Sequence, residues 1–128
     1  MCGNMSGLRG DRMDESILDS VKLALGITAD YPYFDEQLIL YINTAIAVLI
    51  QTGVGTEGFT ISDRMARWSD LLGDKMAALE YSKTYIILRV RLLFDPPQSS
   101  GAMEAIKETL RELEWRGYVE CDPPLGDG

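Results

Sequence analysis

The chain has no histidine and only two cysteines among its 128 residues. Histidine is the commonest metal ligand and a frequent general base, so its absence excludes the usual catalytic triads. Cys2 and Cys121 lie near opposite ends of the sequence and do not form the Cys-x-x-Cys spacing of zinc or redox sites. We therefore interpret the two cysteines as unpaired thiols.

Other motifs that carry chemistry are also missing. There is no Gly-x-Ser-x-Gly segment and no calcium loop of the EF-hand type. Gly53, Gly55 and Gly58 are not followed by the lysine and hydroxyl of a phosphate-binding loop. Neighbouring acids such as Asp70 and Asp74 are explained by helix capping or solvation. We predict no catalytic residue, no metal site and no cofactor, and hence no enzyme.

Positive charge is scarce. Lysine and arginine total 12 against 20 acids, which gives a formal net charge of −8. A protein that binds nucleic acid through its phosphates normally presents a basic surface. The composition therefore argues against a general nucleic-acid-binding surface, and any contact with DNA should be loose or locally basic.

Long apolar runs are absent as well. The most apolar stretch, residues 38–50, is interrupted by Asn43 and Thr44 and is shorter than the ~20 residues that span a bilayer. The first 16 residues lack the apolar segment of a signal peptide. We expect no membrane partner and synthesis in the cytoplasm. With 46% hydrophobic and 25% charged residues, the chain suits one globular domain.

Apolar residues recur at helical spacing along the chain. A first helix is predicted over residues 16–25, with Asp19, Ser20 and Lys22 facing away from its apolar stripe. A second helix should begin at Asp35 and end at Gly53. The composition of residues 53–61 predicts an exposed loop or small hairpin, which we expect to be mobile when the protein is alone.

Ser62 is predicted to cap a short third helix through Trp68 and Leu72. A long helix should follow Gly73 and run to about Phe94, where Asp95, Pro96 and Pro97 end it. The predicted core side of this helix comprises Met76, Leu79, Tyr85, Ile86, Val90 and Leu93.

The last helix should open at Ser99 or Ser100. Its apolar seam of Met103, Ile106, Leu110 and Leu113 is narrow enough to pack on one partner. The opposite face is dense in charge, which is usually a solvated face but could also contact another chain. Its charged residues are Glu104, Lys107, Glu108, Arg111, Glu112, Glu114 and Arg116.

The predicted fold is all-α: a small bundle of four to five helices with an extended loop or short hairpin between the second and third. Residues 1–12 are expected to be a disordered extension, with Met13 as the natural start. Residues 13–118 should form the helical domain, and residues 119–128 a flexible or partner-ordered tail. Core anchoring explains most aromatic residues, but Trp115 and Tyr118, with Arg111 and Arg116 nearby, are candidates for contact with another chain.

Residues 85–115 resemble the head-tail connector, or adaptor, family of long-tailed phages. The resemblance is carried by residues 88–100, which contain Asp95-Pro96-Pro97, and by residues 113–116, which contain Glu114-Trp115-Arg116. Five shorter segments are also similar to the family, namely residues 17–25, 34–36, 41–43, 51–55 and 68–73. The resemblance covers residues 13–118.

This resemblance implies a structural role in the phage neck, between head and tail, for a protein made in the bacterial host. The implied assembly is a closed ring of about twelve subunits, with a portal protein on one side and a stopper or tail-completion protein on the other. Double-stranded DNA would pass through the centre without specific binding. A bacterial helical interaction or regulatory domain without catalytic activity is the alternative, because composition and periodicity suit it equally.

By analogy with the family, two sets of residues are candidate sites. The last helix and tail would meet the portal or a neighbouring subunit, through Arg111, Glu112, Trp115, Arg116 and Tyr118. The loop after the second helix would face the channel or the next ring, through Val54, Thr56, Glu57 and Phe59.

Overall fold

A computed structural model describes the backbone of residues 15–121 and the side chains of residues 15–115. Over this part of the chain the protein is all-α, as predicted, with an isolated bridge between Ser16 and Arg67 but no strand. The five helices are α1 (Ile17–Ala24), α2 (Asp35–Gln51), α3 (Trp68–Leu72), α4 (Leu79–Phe94) and α5 (Ser100–Cys121). Short 3₁₀ turns, Pro32–Phe34 and Met76–Ala78, precede α2 and α4.

Helix α1 begins and ends close to the predicted positions. The Ser16 hydroxyl accepts a hydrogen bond from the Asp19 amide at 3.2 Å, and Gly26 follows the helix with φ +82°, a conformation that favours glycine. The predicted outward direction of Ser20 and Lys22 is wrong, since both side chains are buried. Their polar groups are tolerated because each has hydrogen-bond partners in the interior.

Helices α2 and α4 pack against each other to form the centre of the bundle. The Phe34 ring, at the start of α2, lies 5.1 Å from the Phe94 ring at the end of α4, so the two helices are antiparallel. Their completely buried side chains dominate the core: Leu38, Ile42, Ala45, Ile46 and Leu49 from α2, and Tyr85, Ile86 and Val90 from α4. Leu93, predicted to face the core, is instead 48% exposed.

The predicted capping of α3 by Ser62 is wrong. The helix begins only at Trp68, because Arg67 is extended and the segment around it pairs with the start of α1. The Ile17 amide donates to the Ala66 carbonyl at 3.0 Å. The Trp68 indole donates to the Ser20 hydroxyl at 3.0 Å, which fixes the buried ring against α1.

Helix α5 returns along α4 after the break at residues 95–99. Ser99 caps it, with its hydroxyl accepting from the Ala102 amide at 3.0 Å. Leu110 and Leu113 of the predicted seam are buried in the core. The helix reaches Cys121, past the predicted start of the tail. The predicted extension, residues 1–12, and the rest of the tail, residues 122–128, lie outside the described residues.

One segment is long and apolar enough to cross a membrane by length and composition, namely Pro32–Gln51. It comprises a 3₁₀ turn and α2, whose inner side chains form the centre of the core. A buried central helix passes the same compositional test as a membrane span, so we interpret α2 as the core helix of the bundle.

Candidate functional site

Within residues 100–115, the outer face of α5 is a charged surface that carries the exposed ring of Trp115. Trp115 is 66% exposed, and Arg111 and Glu112 are exposed beside it on the helix. Arg111 donates to Glu108 at 2.7 Å, and this hydrogen bond raises the pKa of the guanidinium. Residues 116 and 118 continue the same helix, but their side chains lie outside the described part. An exposed tryptophan among charged groups is typical of a protein contact surface.

Glu114 was grouped with the solvated charges of this helix, but it faces α4. The Tyr85 hydroxyl donates to Glu114 Oε2 at 2.8 Å, and Arg89 Nη1 lies 4.0 Å from the same oxygen. Burial of Tyr85 is the main cause that raises its pKa, and the hydrogen bond to Glu114 raises the pKa further. The contact fixes α5 against α4 immediately before Trp115.

The loop after α2 is an ordered turn structure and is held by hydrogen bonds at several points. The Thr56 amide and hydroxyl both donate to the Leu71 carbonyl, at 2.8 and 3.1 Å. The Asn43 side chain donates to the Ile61 carbonyl at 3.0 Å and accepts from the Ile61 amide at 2.8 Å. Lys75 Nζ donates to the Gly53 carbonyl at 2.9 Å. These hydrogen bonds connect the loop to its neighbours, and its mobility when the protein is alone stays a prediction.

The loop residues named from the sequence do not all point outward. Val54 is completely buried, so its side chain is not available to a channel or to another ring in this structure. Phe59 is half-buried and packs against the core. Thr56 and Glu57 are exposed. The accessible part of the predicted loop site is therefore Thr56 and Glu57.

One predicted site, the loop, lies at one end of the bundle, and the second half of α5, which carries the other, runs towards that end from the level of Tyr85 in α4. Because α4 is antiparallel to α2 and to α5, the end of α2, the start of α4 and the end of α5 lie together. The loop follows α2 at this end, and Trp115 lies on the half of α5 that approaches it. We call this the loop end of the bundle.

The opposite end carries an aromatic surface, whose rings are not the preferred contact candidates of the sequence. Tyr31 contacts both Tyr33 and Phe34, with ring centroids 5.0 Å apart for Tyr31 and Tyr33 and 5.8 Å for Tyr31 and Phe34. Phe34 in turn contacts Phe94 edge to face. Tyr33 is 78% exposed. The four rings are called the aromatic end. The sequence signal was present, because three of the four rings fall within residues 31–34.

Residues 15–115 contain no group of three or more cysteine, aspartate or glutamate side chains that could hold a metal ion. The side-chain clusters within this range consist of ion pairs and capping contacts. Examples are Arg64 with Asp19 at 2.9 Å and Lys83 with Glu15 at 3.7 Å.

Comparison with known proteins assigns the chain to a class: it matches the family model described as phage connector protein over residues 17–124. That match covers most of the chain, and the protein belongs to the phage connector protein family. No curated protein and no solved structure matched the chain. Membership supports a connector role in the phage neck and indicates a structural rather than a catalytic protein.

Proposed function

We propose that this protein forms a ring in the phage neck, between the portal and the tail or stopper protein, where it extends the DNA channel and completes the head. The observation that carries this proposal is the family match over residues 17–124. Within the bacterial host, the chain would be made in the cytoplasm and would assemble on the head. The family match favours this role over a bacterial regulatory domain.

A closed ring requires two different surfaces on each subunit. The outer face of α2 suits one of them, because residues 37–51 contain no charged side chain. Leu40 on this face is 62% exposed, and Thr44 and Ala47 are exposed further along it. Depletion of charge together with exposed apolar area is typical of the centre of a protein interface. The neighbouring subunit would cover this face.

The portal would bind the loop end of the bundle through α5. Trp115 is the principal anchor, with Arg111, Glu112, Arg116 and Tyr118 as the further residues of that surface. The contact between Tyr85 and Glu114 supports this choice, since it holds α5 in place one residue before the tryptophan. A preorganised helix loses little conformational entropy on binding.

Electrostatic repulsion would keep DNA from adhering to the channel. Each chain carries a formal charge of −8, and a ring of about twelve copies would multiply this acidic field around the duplex. Thr56 and Glu57 are the exposed loop residues that would face the channel or the next ring. Glu57→Lys should therefore slow DNA ejection, whereas Glu57→Gln should have a smaller effect.

Binding to purified portal rings, measured by mass photometry, tests the proposal. We expect saturation at one chain per portal subunit. Trp115→Ala should abolish binding of single chains, whereas Leu40→Lys should permit single chains to bind but prevent the ring from filling. The proposal is wrong if the unsubstituted protein does not bind portal rings from the same phage.

A further inference from the structure

The aromatic end presents apolar area that the core does not require. Tyr31 is 44% exposed, Phe34 36% and Tyr33 78%, and Leu93 beside Phe94 is 48% exposed. Edge-to-face contacts hold the rings in one arrangement, so the surface exists before any partner arrives. Exposed aromatic side chains in a fixed arrangement are typical of docking surfaces.

A buried lysine supports this arrangement from beneath. Lys22 is fully buried and donates to the Ala29 carbonyl at 3.0 Å and to Asp35 Oδ1 at 2.7 Å. These bonds hold both flanks of the segment that carries Tyr31, Tyr33 and Phe34. Burying an ammonium group costs free energy. In this protein the buried ammonium group of Lys22 holds residues 31–34 in place through its two hydrogen bonds.

The rim of the aromatic end is acidic. Asp30 precedes Tyr31, Glu36 follows Phe34 by two residues, and Asp95 follows Phe94, and all three acids are exposed. Lys22 is already paired with Asp35. The nearest other cation along α4 is Arg91, one turn before Phe94 and half-buried. Three acids against one arginine leave the rim with a negative charge.

We propose that the aromatic end docks a cationic segment of a second neck protein, with arginine or lysine beside an aliphatic anchor. Arginine would stack on the exposed rings and pair with the acidic rim, while the aliphatic side chain would cover Leu93 and Phe94. The inference rests on the proposed function for the source of the segment. A subunit that joins two protein rings needs a docking surface at each end, and the portal would use the loop end.

Other occupants fit the surface less well. DNA and anionic lipid carry the same sign of charge as the rim. The tail of the same chain leaves α5 at the loop end, after a helix of 22 residues that measures about 33 Å. Residues 122–128 span at most about 25 Å when fully extended, so they cannot return along it. That tail is also acidic, which argues against its binding the rim of another copy.

Peptide binding to the isolated full chain tests the proposal independently of portal or ring. The probes are two fluorescein-labelled peptides of twelve residues, one alternating leucine with arginine and one alternating leucine with glutamate. Fluorescence anisotropy should give a Kd at least about tenfold lower for the arginine peptide. Tyr33→Ser should weaken binding of the arginine peptide about fivefold, because it removes an exposed ring on which arginine would stack. The substitution removes no buried contact.

Two variants of equal net charge separate local recognition from general attraction. Replacing Asp30, Glu36 and Asp95 by their amides should weaken binding of the arginine peptide about tenfold. The matched control replaces Glu57, Glu80 and Glu112, exposed acids away from the aromatic end, by glutamine and should change the Kd less than about twofold. Equal weakening by both variants would overturn the proposal, as would unchanged binding in Tyr33→Ser with a wild-type thermal midpoint.

Two further outcomes would assign the surface to a different occupant and also overturn the proposal. The first is that the arginine peptide binds only after residues 1–12 are removed, which would place this chain's own amino-terminal segment on the rings. The second is self-association of the wild-type chain that Tyr33→Ser abolishes in sedimentation velocity, which would place a second copy there. Failure of peptide binding alongside normal portal binding would leave the proposed neck function intact.

Discussion

The Tyr85 hydroxyl donates a hydrogen bond of 2.8 Å to Glu114 Oε2, and this contact joins α5 to α4. Neither residue was chosen from the sequence as a partner of the other. The pair places the exposed Trp115 at a defined position beside α4. The orientation of the proposed portal-binding surface therefore depends on the packing of α4 and α5.

The raised pKa of Tyr85 predicts a loss of stability at alkaline pH. Its folded-state value lies above the ordinary 10.0, so the neutral form is favoured by folding. This contribution is complete below pH 10.0 and declines as the pH rises from there towards the folded-state pKa. Urea unfolding at pH 8 and pH 11 should show a smaller alkaline loss in Tyr85→Phe than in the wild type. At pH 8 the substitution should cost about 1 kcal/mol.

Asp35→Ala should destabilise the protein by about 3 kcal/mol, because it leaves the buried Lys22 without its carboxylate partner. Lys22→Met should cost less, because it removes the buried charge and leaves a carboxylate with 31% of its side chain exposed to water. The two free energies of unfolding are compared by urea denaturation. A greater loss in Lys22→Met than in Asp35→Ala would contradict the account of this ion pair.

Gly55→Ala should be more destabilising than Gly58→Ala. Both glycines have positive φ, +97° and +79°, so each substitution carries backbone strain of about 1 kcal/mol. At Gly55 the added Cβ would also lie 2.9 Å from Leu71 Cδ1, whereas at Gly58 nothing lies within 4 Å. The difference between the two unfolding free energies should be about 1 kcal/mol or more. Equal losses would mean that Leu71 moves aside freely.

Trp115→Ala should abolish portal binding with little change in thermal stability, since the ring is 66% exposed. Leu113→Ala is the matched comparison on the same helix, and its loss of buried area should cost about 2–4 kcal/mol. Differential scanning fluorimetry and portal binding are measured on both. If Trp115→Ala lowers the melting temperature as much as Leu113→Ala, the tryptophan serves the fold and the proposed anchor is wrong.

Helical periodicity predicted the elements well because Leu38, Ile42, Ala45 and Leu49 all fall on one face of α2. The break at Pro96 and Pro97 was an equally local signal. Such features depend on residues a few positions apart. They could be read without knowledge of the tertiary structure.

Long-range contacts were missed for the opposite reason. Lys22 faces inward because Asp35, 13 residues away beyond the next loop, and the Ala29 carbonyl within that loop supply its partners. Ser62 does not begin a helix because residues 66–68 pair with the start of α1. Phe34 and Phe94 are 60 residues apart, so their contact at the aromatic end is visible only in the folded protein.

The most direct test is electron microscopy of tail-less, DNA-filled heads from the same phage, imaged with and without the purified protein. The account predicts an added ring of density below the portal at the unique vertex, with α5 directed towards the portal, and no added ring with Trp115→Ala. An unchanged vertex at saturating wild-type protein would contradict the proposed neck ring.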